Sequence, residues 1–168
     1  MSGPLPRIDP DLPLPVDGRQ SDAALAIARG AGRCLLAHGL AGLPELTLAN
    51  SRRADLIALS ESGAIWIVEI KSSLADFRAD QKWPEYRDYC DRLFFAVDRE
   101  FPVGVLPPDT GLILADRYGG EIVREAPEHK LAAARRKVVT QRFARVAALR
   151  LHALADPDLA ARFQNLNG

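Results

Sequence analysis

Cysteine is almost absent from the 168 residues: only Cys34 and Cys90 occur, which excludes a disulfide framework and gives no metal-ligand spacing. Long apolar runs are missing too. The longest uninterrupted ones, such as Ala64 to Val68, fall far short of the ~20 residues that span a bilayer, so no membrane association is expected. The N-terminus lacks the basic-then-apolar pattern of a secretory signal, and together these absences point to a reducing cytoplasm. His38, His129 and His152 are scattered and suggest neither a catalytic triad nor zinc. There is no glycine-rich phosphate loop, zinc ribbon or internal repeat. Net charge is zero, from 22 basic and 22 acidic residues, so bulk charge is silent about partners.

What remains is an ordinary globular composition, 48% hydrophobic and 26% charged, long enough to bury a core. Residues 1–20 hold five of the twelve prolines and are expected to form an extended arm; residues 21–168 are expected to form a single domain. Ser21 has the character of an N-cap, followed by a helix to about His38 with Ile27, Ala31 and Leu35 on one side. Gly30 and Gly32 weaken it and suggest close packing on a sheet. Strands are expected at Glu45–Ala49, Ala54–Ser60 and Ala64–Lys71. A helical stretch from Leu74 to Cys90, broken at Pro84, follows. Strands at Arg92–Val97, Gly111–Ala115 and Glu121–Arg124 come next, then a helix from about Glu128 to Ala155. This order predicts a mixed sheet covered by helices.

The segment from Ala54 to Lys71 carries the chemistry. With Glu61, Ser62 and Gly63 as a three-residue loop, Gly63 takes the left-handed position and Ser60 faces Ala64. Counting outward sets Asp55 opposite Glu69, with Cβ atoms ~5 Å apart on one face. Lys71, two residues on, shares that face, as do the pairs Ile57–Ile67 and Leu59–Ile65; Trp66, Val68 and Ile70 line the other. Two carboxylates this close repel, and a bound cation reverses that repulsion. Mg²⁺ or Mn²⁺ suits an oxygen site of one or two carboxylates plus waters, and would activate water and neutralise phosphoryl charge. Lys71 beside it would orient the water or stabilise the transition state. The alternative is an exposed charge trio at a sheet end, with Arg53, opposite Lys71, pairing with either acid.

Asp55 followed by Glu69-Ile70-Lys71 across a hairpin and after a helix resembles the PD-(D/E)xK nuclease superfamily. More narrowly, Glu69-Ile70-Lys71-Ser72-Ser73 with Asp76-Phe77, Asp80, Lys82-Trp83, Tyr86 and Cys90-Asp91 resembles the MmcB family of bacterial DNA repair proteins, over roughly Ser21 to Ala155. The resemblance implies a restriction-endonuclease-like three-layer α/β/α fold with a central mixed sheet and an αβββαβ core. It implies Asp55, Glu69 and Ile70 as metal contacts, Lys71 as catalytic lysine, and DNA cleavage in repair. A non-catalytic module that keeps the fold and binds DNA or a repair protein is the alternative. Ala54 stands where the motif's name has proline. The first helix holds no glutamate, only Asp22 at its start, and Glu45 is expected to open the first strand instead.

Around this centre, Asp76 and Asp80 either reach a second metal, orient Lys71 and Ser72, or form a solvated face or cap. Arg53, Ser72, Lys82 and Tyr86 are candidate DNA contacts, and Trp83 is a base-stacking candidate or a core residue. Ser72 alternatively caps the next helix. From Lys130 to His152 there are seven Lys or Arg and no acid. Arg135, Arg136, Lys137 and Arg142 there would hold a phosphate backbone, or else form a solvated helix face.

Overall fold

A computed structural model of the chain describes residues 20–158, so the expected N-terminal arm lies almost wholly outside the described residues. The Ser21 side chain accepts from the Ala24 amide at 3.1 Å and caps α1, Asp22–Ala37. Its buried stripe of Ile27, Gly30, Ala31, Cys34 and Leu35 lies against the sheet. A Cβ on Gly30 would sit 2.0 Å from the Asp116 carbonyl oxygen and 2.3 Å from that of Gly119, so only glycine permits this approach. Gly32 has no such role: nothing lies near its missing Cβ.

Six strands lie side by side in chain order: β1 Leu40–Thr47, β2 Arg53–Ser60, β3 Ile65–Ile70, β4 Arg92–Val97, β5 Gly111–Ala115 and β6 Gly120–Arg124. The first three are antiparallel, β3, β4 and β5 run parallel, and β6 closes antiparallel. The hairpin register is the one the loop count predicts: Ile57 pairs with Ile67 and Leu59 with Ile65, and Gly63 has φ +86°. β1 begins at Leu40 rather than Glu45, because its pairing with β2 extends through Gly42 and Pro44, residues that seldom favour strands.

Alternation along the strands divides the core. Leu56, Ala58, Val68, Ile70, Phe94 and Ala96 pack with α1 on one face. Ile57, Ile65, Ile67 and Leu93 pack on the other with Tyr86, Tyr89, Val139 and Val146. Those last four belong to a 3-10 helix, Trp83–Tyr89, and to α3, Ala133–Ala155. The molecule is therefore a three-layer α/β/α sandwich. β4 is buried from Leu93 to Val97, as expected of a parallel strand covered on both faces. Between β3 and β4, α2 (Leu74–Ala79) ends before Pro84, which opens the 3-10 helix instead of extending α2. The order α-β-β-β-α-β expected of the core is thus present.

α3 starts at Ala133 and not near Glu128, because Asp91 draws the preceding residues into extended contacts. Its carboxylate accepts from the Leu131 amide at 2.8 Å and its carbonyl from the His129 amide at 2.7 Å. Arg136 then donates to the same carboxylate at 2.6 and 2.7 Å and to the Gly63 carbonyl at 2.7 Å. One buried aspartate thereby ties the hairpin tip, the start of β4 and the start of α3 together. Arg136 and the bonds from the Ile65 and Leu131 amides outweigh the effect of burial, holding the Asp91 carboxyl down at about 2. Among the described residues, no helix is long and apolar enough to cross a membrane.

Candidate functional site

At the end of the β2–β3 hairpin remote from Gly63 the two strands exchange side-chain contacts in place of ladder bonds. The Asp55 amide donates to Glu69 Oε1 at 3.3 Å, and the Ile70 amide donates to Asp55 Oδ2 at 2.8 Å. Each carboxylate is thereby oriented by the opposite strand. Glu69 is 3% and Lys71 5% exposed. They meet the partly exposed Asp55 in a cleft of about 800 Å³, also lined by Glu45, Arg53, Ser72, Asp76, Asp80, Lys82 and Tyr86.

Burial and mutual repulsion dominate the electrostatics of the two acids. Burial raises the Asp55 carboxyl to about 6, against the pull of the Ile70 amide and the Lys71 charge. Burial and the neighbouring Asp55 charge raise Glu69 well above the ordinary carboxylate range. Lys71 lies 3.8 Å from Glu69 but donates to Asp80 at 2.7 Å. Burial opposes the lysine's charge, yet the Asp80 bond and the surrounding carboxylates outweigh it and hold the ammonium above its usual value. Burial likewise acts against Asp80, but its bonds from Lys71 and the Lys82 amide keep it ionised below the usual range. The Lys71 ammonium is thus shared between Asp80 and the Asp55–Glu69 pair.

No group of three or more His, Cys, Asp or Glu side chains converges as a metal cage among the described residues. The donor set nevertheless fits Mg²⁺ or Mn²⁺, which commonly bind one or two carboxylates and retain several waters. Asp55 and Glu69 would hold the ion, together with the peptide at Ile70.

The remaining expected residues separate into those at the cleft and those elsewhere. Arg53, half exposed, lies 3.5 Å from Glu45 Oε1, and its carbonyl accepts from the Tyr86 hydroxyl at 2.8 Å. Lys82 is exposed on the cleft wall. Ser73, not Ser72, caps α2, accepting from the Asp76 amide; the Asp76 carboxylate in turn accepts from the Ser72 amide at 3.1 Å. Asp76 therefore serves as a cap, and Asp80 as the partner of Lys71. Trp83 does not present a stacking face: it packs edge-on against Phe95 at 5.4 Å with the Arg87 guanidinium over its ring.

The basic residues at the start of α3 lie away from the cleft. Arg136 binds Asp91 and Gly63 at the hairpin tip, about 20 Å of strand from Glu69. Arg135 sits over the Tyr89 ring at 4.7 Å beside the same region, with Lys137 exposed next to it. Arg142 donates to the Thr47 carbonyl at 3.2 Å. Arg136 and Arg142 are thus engaged inside the fold, a use that a run of basic residues does not reveal.

Glu45 was legible only as a strand opener, and its position is different. It lies mid-strand in β1 with φ +50° and 7% exposure, at the wall of the cleft beside Asp55. A proline followed by a lone acid within Leu43-Pro44-Glu45-Leu46 was the available signal.

The mixed-sheet α/β/α sandwich, with an aspartate and a Glu-x-Lys triplet meeting across one hairpin, is a nuclease-like fold. Within it, the chain belongs to the MmcB-like family of DNA repair proteins, whose model matches residues 12–158. It is also similar to a solved protein of unknown function from Silicibacter pomeroyi, at 51% identity and a TM-score of 0.80, over 83% of this chain and 95% of that one. No curated protein matches.

Proposed function

We propose that the chain is a divalent-cation-dependent nuclease that hydrolyses DNA phosphodiester bonds in repair. The observation that carries this is the hairpin register, which sets the Asp55 and Glu69 carboxylates together in an open cleft with the Lys71 ammonium against them. Bound there, Mg²⁺ or Mn²⁺ would supply Lewis acidity and a water of lowered pKa. The chain's own groups do the rest. The Asp55 and Ile70 amides fix both carboxylates before any ion arrives, so that little reorganisation is left for the reaction. Lys71, kept charged by Asp80, offsets the negative charge that grows on the phosphoryl oxygens. Arg53, Ser72 and Lys82 at the cleft wall position the sugar-phosphate backbone, contacts that carry no sequence information.

One observation favours a second reading, a non-catalytic module that binds DNA or a repair partner: the ammonium is nearer Asp80 than Glu69. Incubating the protein with single-stranded, double-stranded and branched DNA and Mn²⁺, beside Asp55→Asn and Lys71→Met, separates the two. The nuclease predicts cleavage that both variants lose. Salt-sensitive binding without cleavage supports the module. Neither binding nor cleavage by the wild-type protein contradicts both.

A further inference from the structure

The cleft is not lined by charged groups alone. Ala24, Leu25 and Ala28 fall three and four residues apart on one flank of α1, and with Pro44 of β1 they border the cleft that holds Asp55 and Glu69. The buried stripe of α1, which includes Ile27, Ala31 and Leu35, already faces the sheet, so core packing does not account for this flank. Leu25 is 51% exposed and Pro44 is exposed as well, which leaves an apolar surface open to whatever enters. Single exposed apolar side chains are ordinary on a protein surface. Several of them bordering a cleft with a few convergent polar groups have the make-up of a ligand site.

Exposed cations at the cleft are few. Lys71 is buried and donates to Asp80. Arg52 is taken by Glu85, to which it donates Nε at 2.8 Å and Nη2 at 3.1 Å. Among the described residues that line the cleft, the exposed cations are Arg53 and Lys82. Arg136 and Arg142 of α3 are engaged within the fold and add nothing here. A duplex is held mainly through its phosphates, neutralised by Lys and Arg, so two cations make a short footprint for it. An unpaired strand offers more, because the faces of its bases are free instead of stacked inside a helix. Glu69, 3% exposed, is also recessed, and a single strand brings a phosphodiester down to it more readily than a stiff duplex does.

We propose that the cleft takes an unpaired DNA strand, and that Leu25 is a specificity-determining residue against which a base or sugar beside the scissile phosphate packs. This rests on the nuclease reading above and names the substrate class of the same site. Arg53 and Lys82 hold the strand by its phosphates, and the apolar flank of α1 selects for the absence of a complementary strand.

Fluorescence anisotropy of a short labelled single strand, and of the same sequence in a blunt duplex, tests this in CaCl₂ at fixed salt, with cleavage of both under Mn²⁺ measured alongside. The full chain should bind the single strand about tenfold tighter than the duplex. Leu25→Ser, at a half-exposed position where the fold tolerates change, should weaken single-strand binding about five- to tenfold and leave duplex binding unchanged. Leu25→Trp should tighten single-strand binding, since a base can stack on the indole. Lys82→Gln should weaken both DNAs alike and lower the salt dependence. Equal affinity for the two DNAs, or an equal loss for both in Leu25→Ser, overturns the proposal; cleavage that Asp55→Asn still abolishes would then leave the nuclease reading standing. Single-strand binding that depends on Leu25, without cleavage under Mn²⁺, supports the strand in the cleft and overturns the nuclease. Wild-type protein that binds neither DNA overturns both.

Discussion

Replacing Asp55 by Asn removes a charge while leaving an oxygen to accept from the Ile70 amide. In the metal-free protein this exchange should stabilise the fold at pH 8. The Asp55 carboxyl is raised from 3.8 to about 6, chiefly by burial. At about 1.4 kcal/mol per pH unit that rise is worth about 3 kcal/mol, and because Asp55 keeps some contact with water we expect about 2 kcal/mol. The sign follows from proton uptake. Between pH 4 and 6 the folded chain holds a proton that the unfolded chain has lost, so wild-type stability falls as pH rises through this window. Raised Glu69 extends the decline to higher pH. Asp55→Asn should flatten it, because the charge that repels Glu69 is gone. For a chain of this length the gain corresponds to roughly 4–8 °C in melting temperature at pH 8, vanishing near pH 4. Thermal melts in a chelating buffer from pH 4 to 8 measure it. A variant that melts below wild type at pH 8 would refute the reasoning, for it would mean that Lys71 already balances Asp55.

Three further outcomes follow from the fold. Asp91→Ala should cost about 3–5 kcal/mol in denaturant melts, since it leaves Arg136 and two amides without their buried acceptor. The same carboxyl, held at about 2, contributes stability that is complete above its unfolded value near 3.8 and lost as pH falls through about 2, which acid titration of wild type against Asp91→Asn would reveal. Gly30→Ala should destabilise by about 1–3 kcal/mol by circular dichroism, as its Cβ meets backbone oxygens that cannot swing away.

The parts of the fold legible beforehand are those set by local rules. Gly63 and strict alternation fixed the β2–β3 register, and from it the meeting of Asp55 with Glu69. β4 and β5 stood out because short apolar runs between turn residues have few alternatives. What escaped depends on distant partners. Glu128 to Ala132 has helical character, yet Asp91 holds that stretch extended from far along the chain. Arg136 and Arg142 are indistinguishable in sequence from phosphate-binding arginines until Asp91 and the Thr47 carbonyl are seen beside them. Glu45 was hidden by the same cause: its left-handed backbone lies at a gap in the β1–β2 pairing, with distant Arg150 donating to its carbonyl. Asp80 beside Lys71 and Asp76 beside Ser72 were among the readings the sequence left open, and the extended cap of α2 is what selects them.

The most direct test of the cation site is calorimetric titration of chelator-stripped protein with MnCl₂ at pH 7 in two buffers of different ionisation heat. The account predicts saturable binding that Glu69→Gln loses, with proton release that grows as the titration is moved down toward pH 6, where Asp55 is half protonated. Absence of binding, or binding undiminished in Glu69→Gln, would contradict it.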